Sequence, residues 1–117
     1  MMPILRLAPA AALVAGALAA IAPAHAAVLS GVVRGADGGA YAHARVCIDR
    51  NRNARCDRGE AAAWSKADGR FLLRGAGPLA AEIGTDARHV DPATGEETPV
   101  RRPLVFRAPA GARAIGP

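Results

Sequence analysis

The pattern of hydrophobic and polar residues changes near residue 26. Before that point, residues 7–21 form a largely apolar run, and Arg6 is the only charged residue of the first 26. Residues 23–26 then provide an Ala-x-Ala cleavage site. A short charged region, an apolar stretch and such a site are typical of a secretory signal peptide. We therefore predict a signal peptide over residues 1–26 and a periplasmic or secreted mature protein.

The alternative for this segment is a retained membrane anchor. A helix that spans a bilayer needs about 20 apolar residues, whereas this segment is interrupted by Pro9, Gly16 and Pro23. The anchor is therefore the weaker interpretation. No membrane span is expected after cleavage.

Beyond residue 26 the pattern changes to short runs of alternating or β-branched residues, separated by Gly, Pro and Asp. Such runs are typical of strands, and pairs such as Asp68-Gly69 are typical of hairpin turns. Pro103 in the last run indicates an edge strand or a break. The mature chain has no convincing helical pattern. The runs predict strands over residues 28–34, 44–49, 61–66, 70–74, 79–84, 88–90 and 100–107.

Short strands at regular spacing predict an all-β fold, a small Ig-like or prealbumin-like β-sandwich over residues 27–107. Residues 108–117 carry no such pattern and are predicted to be a linker-like or frayed tail. A tail of this kind fits either the first part of a longer exported protein or a chain end.

Length and cysteine content indicate a cross-linked single domain. Signal cleavage leaves 117 − 26 = 91 residues, and so short a chain often needs a cross-link because it buries a modest share of its surface. Cys47 and Cys56 are the only cysteines. An even number in an exported protein predicts a disulfide. Two free, buried thiols are the alternative.

The charged residues are mostly arginines. The net charge of +5 becomes +4 without Arg6, and 13 of the remaining 15 − 1 = 14 basic residues are arginines. This composition fits a solvated surface, and the competing hypothesis is a small secreted protein that binds polyanions. Nucleic acid is not expected as a partner, because few aromatic residues lie among the arginines to stack on bases.

The polar segment 49–60 has the spacing of a calcium-binding loop. Ca²⁺ takes six to eight oxygen ligands, and a 12-residue loop of the EF-hand type supplies them from its first, third, fifth, seventh, ninth and twelfth residues. Position seven contributes its backbone carbonyl. The candidate ligands are Asp49, Asn51, Asn53, Arg55, Asp57 and Glu60.

Other features of this segment favour a loop without metal. Ala54 stands where glycine usually makes the sharp turn, and a positive φ at a non-glycine residue costs about 1 kcal/mol. Four arginines against three acidic residues give the segment a formal charge of 4 − 3 = +1, and helical flanks are missing. The alternative is a polar loop in which Asp49, Asn51 and Asn53 accept hydrogen bonds from nearby backbone amides.

Five segments between residues 29 and 73 form a shared pattern of strands, turns and an acidic loop: residues 30–33, 37–39, 44–49, 49–60 and 67–73. With these segments the stretch resembles bacterial extracellular β-sandwich modules of the SD-repeat B-type and collagen-adhesin B-type group, which are close in style to prealbumin-like and carboxypeptidase-regulatory-like domains. The resemblance implies an accessory, stalk or spacer module, often with calcium in the acidic loop. Similar modules precede the catalytic domain of some exported hydrolases. Residues 86–117 match no pattern of the group.

The sequence predicts no catalytic activity. It has no Gly-x-Ser-x-Gly elbow, His-Glu-x-x-His motif or phosphate-binding loop. His43 and His89 are isolated in the mature sequence, although His89 has Asp86 and Asp91 nearby. We therefore expect an exported accessory, spacer or binding module, whose partner would be a covalently following domain or a cell-envelope component. A fragment of an enzyme is the least favoured class.

Overall fold

A computed structural model of the chain describes residues 28–117, and the predicted signal peptide lies outside these residues. All regular secondary structure in the described range is β-strand. None of its residues belongs to a helix long and apolar enough to cross a membrane. The strands are β1 (Val28–Val33), β2 (Tyr41–Ala42), β3 (Arg45–Ile48), β4 (Ala62–Trp64), β5 (Arg70–Arg74), β6 (Leu79–Ile83), β7 (Arg88–Val90), β8 (Glu97–Pro99), β9 (Leu104–Ala108) and β10 (Ala114–Ile115).

The strands form three sheets. A four-stranded sheet has the order β4-β3-β6-β9, with antiparallel pairing throughout. A three-stranded sheet has the order β10-β1-β5, in which β1 pairs antiparallel with β5 and parallel with β10. A second three-stranded sheet, with shorter strands, has the order β2-β7-β8. The prediction of an all-β sandwich is confirmed.

Alternation along the strands produces the hydrophobic core. Phe71 and Leu73 on β5 are each 3% exposed, whereas Leu72 between them is 62% exposed, because successive side chains point to opposite faces of a sheet. β3 and β6 contribute residues that are almost fully buried, and so does the short β10. The largest fully buried side chains are Ile48, Leu79, Ile83, Ile115, Val33, Val46 and Cys47.

A buried hydroxyl connects the edge of the four-stranded sheet to β2. Ser65, which follows β4, is 5% exposed. Its Oγ accepts a hydrogen bond from the amide of Ala44 at 2.8 Å and donates one to the carbonyl oxygen of Tyr41 at 2.7 Å. A buried polar side chain is tolerated in a core when it is hydrogen-bonded in this way.

Six of the ten strands fall within the runs that the sequence predicts, and β9 ends one residue beyond its run. β5 and β7 match their predicted bounds, and β9 starts only at Leu104, after Pro103, in agreement with the expected break. β2, β8 and β10 were not predicted. β10 lies in the segment 108–117, where Ile115 is 1% exposed and pairs with Val33 of β1.

Candidate functional site

A disulfide joins Cys47 in β3 to Cys56 in the following loop. The two residues are nine positions apart, and their Cα atoms are separated by 5.5 Å. The predicted cross-link is therefore confirmed, and the alternative of two free thiols is excluded. The bond closes a short ring that contains most of the polar segment 49–60.

The disulfide holds this loop against the outer face of the four-stranded sheet. Cys47 pairs with Ala80 across β3 and β6, and both are fully buried although they point away from the core. The Cys56 Sγ atom lies 3.6 Å from the carbonyl oxygen of Arg45 and 3.9 Å from that of Ala80. The Cys56 amide donates to Oε1 of Glu82 on the same face at 3.0 Å. The loop thus covers the middle of that face.

The first turn of the loop is wound around the Asp49 carboxylate. Asp49 is 2% exposed. Its Oδ1 accepts a hydrogen bond from the Asn53 amide at 3.2 Å, and its Oδ2 accepts one from the Ala54 amide at 2.8 Å. Oδ1 of Asn53 in turn accepts the Arg55 amide at 3.0 Å. These contacts have the form of the side chain-to-backbone turns expected of Asp and Asn.

The far limb of the loop is held by two further carboxylates. Oδ2 of Asp57 accepts hydrogen bonds from Nδ2 of Asn51 at 2.9 Å and from Nδ2 of Asn53 at 2.6 Å. These bonds, that from Asn51 first, lower the pKa of Asp57 below its ordinary value, because they stabilise the charged form. The Glu60 carboxylate accepts the Arg50 and Asp57 amides at 3.0 and 2.8 Å.

The loop contains two non-glycine residues in the left-handed conformation. Ala54 has a φ of 62° and Arg52 a φ of 58°. Ala54 is the sixth residue of the loop, where a calcium-binding loop of this length usually has glycine in a sharp turn. The backbone adopts the left-handed turn there although alanine has a Cβ atom. Such a conformation costs about 1–2 kcal/mol for an L-residue.

The candidate calcium ligands are brought into one hydrogen-bonded network. Asp49, Asn51, Asn53, Asp57 and Glu60 each take part through a side chain, and Arg55 takes part through its amide. Within residues 28–117, no three His, Cys, Asp or Glu side chains are grouped closely enough to hold a metal ion. The donor types suit calcium, and in this arrangement the carboxylate oxygens accept hydrogen bonds from N–H groups of the loop.

The two histidines of the described residues each lie beside an aspartate. Nε2 of His89 is 3.0 Å from Oδ1 of Asp37, whereas the sequence indicated an isolated histidine. Hydrogen bonds to the Asp37 carboxylate, from the Gly39 amide first and the His89 side chain next, lower its pKa. No sequence signal could have linked residues 52 positions apart; pairing of Tyr41 with His89 between β2 and β7 brings them together.

The second pair is an exposed stack at the sheet edge. Nε2 of His43 is 3.4 Å from Oδ2 of Asp86. The imidazole also lies parallel to the Trp64 ring, with centroids 4.5 Å apart and an interplanar angle of 10°. No hydroxyl or thiol group of the described residues forms a hydrogen bond with either imidazole ring. The geometry is that of two surface contacts between imidazole and carboxylate.

Comparisons of the chain with protein-family models, with curated proteins and with solved structures find no match. The resemblance to extracellular β-sandwich modules therefore rests on the residues quoted for it.

Proposed function

We propose that the mature chain is an exported accessory module, a small cross-linked β-sandwich that spaces, supports or binds a component of the cell envelope or a covalently attached domain. The disulfide between Cys47 and Cys56 carries this proposal. Structural disulfides form and persist in oxidising compartments and are rare in the cytosol. The signal-peptide pattern of residues 1–26 supports the same compartment.

The role as a module without catalysis is supported by how the polar side chains are used. The carboxylates of the loop accept hydrogen bonds from backbone amides, and His43 and His89 each contact one aspartate. A hydrolytic site requires a nucleophile, a base and an orienting group within reach of one another. The polar groups serve the shape of the loop and the turns.

Export and processing can be tested on the full chain. We expect the protein recovered from the periplasm of a Gram-negative host to begin at Ala27 and to contain no free thiol, as measured by mass spectrometry and thiol titration. Ala24→Glu alters only the cleavage site, so the unprocessed precursor of this variant should accumulate. A cytosolic protein with two free thiols would contradict the proposal, as would turnover of ester, phosphoester or glycoside substrates by the purified processed protein.

We propose calcium as a ligand of the loop, on the basis of its donor set. Asp49, Asn51, Asn53, Asp57 and Glu60 would supply side-chain oxygens and Arg55 its carbonyl, in numbers that match a Ca²⁺ site. The left-handed turn at Ala54 supports this assignment, because it stands where such a loop turns sharply. The positive formal charge of the segment opposes it.

The calcium proposal predicts a calcium-dependent gain in stability. Millimolar Ca²⁺ should raise the melting temperature of the processed protein, since a ligand that binds only the folded state stabilises it. Asp49→Ala should lower the melting temperature even without metal, because Asp49 accepts hydrogen bonds from two backbone amides. The quantity compared is therefore the shift in melting temperature that calcium causes in each protein. Asp91 accepts the Ala93 and Thr94 amides in another turn, so Asp91→Ala is the matched control. An equal shift in all three proteins, or none, would contradict the assignment.

A further inference from the structure

A groove at the β10-β1-β5 sheet is lined by arginines. Its volume is about 320 Å³, and Arg34, Arg70 and Arg113 contribute to its walls; the other lining residues are Ser30, Gly31, Val32 and Phe71. The three arginines are far apart in sequence. Their convergence is therefore a product of the fold.

The register of the sheet explains this convergence. Val32 on the central strand pairs with Arg70 on one side and with Ala114 on the other. The Val32 amide also donates to the carbonyl oxygen of Arg113 at 3.0 Å. Arg34 follows the same strand two residues later, and its amide donates to the carbonyl oxygen of Ile115 at 3.0 Å. Arg34 and Arg70 lie on the same side of the sheet as Val32, and Arg113 lines the groove from the bend that precedes β10.

Little of the positive charge in the groove is neutralised. Oδ2 of Asp68 lies 3.5 Å from Nε of Arg70, with both side chains well exposed, and such surface pairs are weak. Arg34 donates from one Nη atom to the carbonyl oxygen of Gly38 at 3.3 Å. Among the described residues, neither Arg34 nor Arg113 has a carboxylate within ion-pairing distance. Each guanidinium therefore keeps several N–H donors free, and such a fork matches the oxygens of a phosphate group.

Exposed apolar side chains lie beside the arginines. Leu72 on β5 pairs with Ser30 on β1, and Val28 pairs with Arg74. Leu72 is 62% exposed and Val28 is 53% exposed. The face therefore combines guanidinium groups with aliphatic side chains, a combination that suits the boundary between the headgroups and acyl chains of an anionic lipid layer.

We propose that this groove binds the phosphate of an anionic lipid headgroup, so that the module lies against a membrane surface through the outer face of the β10-β1-β5 sheet. Arg34, Arg70 and Arg113 hold the phosphate oxygens, and Leu72 and Val28 contact the apolar boundary. This inference goes beyond the role proposed above and does not depend on calcium in the loop.

The test measures partition of the processed protein between buffer and lipid vesicles. We expect binding to vesicles that contain phosphatidylglycerol, no binding to phosphatidylcholine alone, and loss of binding at high salt. The triple substitution of Arg34, Arg70 and Arg113 by glutamine should weaken partition about 100-fold, from about 1 kcal/mol for each basic residue at such a surface.

A matched triple variant separates the groove from overall charge. Arg58, Arg101 and Arg102 are exposed and do not line the groove, so their substitution by glutamine gives the same net charge. This control should keep most of the binding, and equal melting temperatures would show that both variants are folded. A control that lost as much binding as the groove variant would overturn the proposal.

Two further ligands distinguish the source of the phosphate. Inorganic phosphate alone, followed by amide chemical shifts, should perturb the groove weakly. Binding of inorganic phosphate without any binding to vesicles would retain the phosphate site and overturn the lipid source. Tighter binding of single-stranded DNA than of vesicles, lost in the groove variant, would overturn the membrane assignment in favour of nucleic acid.

Discussion

The outer faces of the two larger sheets differ in what covers them. On the four-stranded sheet, the loop 49–60 is fixed by the disulfide, and Cys47 and Ala80 beneath it are fully buried. On the β10-β1-β5 sheet, Leu72 and Val28 remain exposed beside arginines. One face is thus closed by the chain itself, whereas the other is open to a partner.

The difference shows how polar sequence is used in a small domain. The carboxylates of the covered face accept hydrogen bonds from backbone amides in a loop that lacks regular structure, as such amides require. The arginines of the open face keep N–H donors for which the described residues provide no acceptor. We infer that the loop mainly provides stability, whereas the open face is available for binding.

The largest expected effect comes from removing the disulfide. The double substitution of Cys47 and Cys56 by serine should reduce the free energy of unfolding by about 2–3 kcal/mol, as expected for a short ring in the chain-entropy model. Urea denaturation measures this loss. A reducing agent should destabilise the wild-type protein to a similar extent and leave the double variant unchanged. A loss well below 1 kcal/mol would show that the covered face does not depend on its cross-link.

The second expected effect comes from the anchor on the sheet. Glu82→Ala removes the acceptor of the Cys56 amide, and the loss of a hydrogen bond to a charged group should reduce stability by about 1–2 kcal/mol. Glu82→Gln keeps an acceptor oxygen and should lose less. On the open face, Arg70→Ala should change stability by less than about 0.5 kcal/mol.

A double-mutant cycle makes the same comparison sharper. If Glu82 and the disulfide hold the same loop, Glu82→Ala should have a smaller effect in the variant without cysteines than in the wild type. Equal effects in both backgrounds would mean that the two contacts act independently, and the loop would then not behave as a single cover.

The covered face was partly predictable from sequence, and the open face was not. Two cysteines with eight residues between them indicate a disulfide, and the alternation of residues 70–74 indicates a strand. No local pattern places Arg34, Arg70 and Arg113 in one groove, because their proximity depends on which strands pair and in which register. The same holds for Asp37 and His89, and for β10, whose two residues are too few to show a period.

The third expected effect is a gain in stability. Ala54 has a φ of 62°, so Ala54→Gly relieves the left-handed strain. Glycine also loses more backbone entropy on folding, which offsets part of this gain. We expect a net stabilisation of about 0.5–1 kcal/mol in urea denaturation. Ala36 lies in an exposed turn and does not have a positive φ, so Ala36→Gly should destabilise. If both substitutions destabilise, the left-handed turn at Ala54 is not a feature of the folded loop.

The smallest expected effect is a dependence on pH. Hydrogen bonds from Asn51 and Asn53 lower the pKa of Asp57 below its ordinary value of 3.8. Because the pKa is lower in the folded state, the stability that these bonds contribute is present above about pH 4 and is lost as the pH falls through the pKa of the folded protein. Asn51→Ala removes the larger cause, so the pKa of Asp57, followed by carboxyl NMR titration, should rise toward 3.8. The pKa of Asp37, which is lowered outside the loop by Gly39 and His89, should not change. A parallel change at Asp37 would indicate a general loss of structure, whereas a change confined to Asp57 would place the effect in the covering loop.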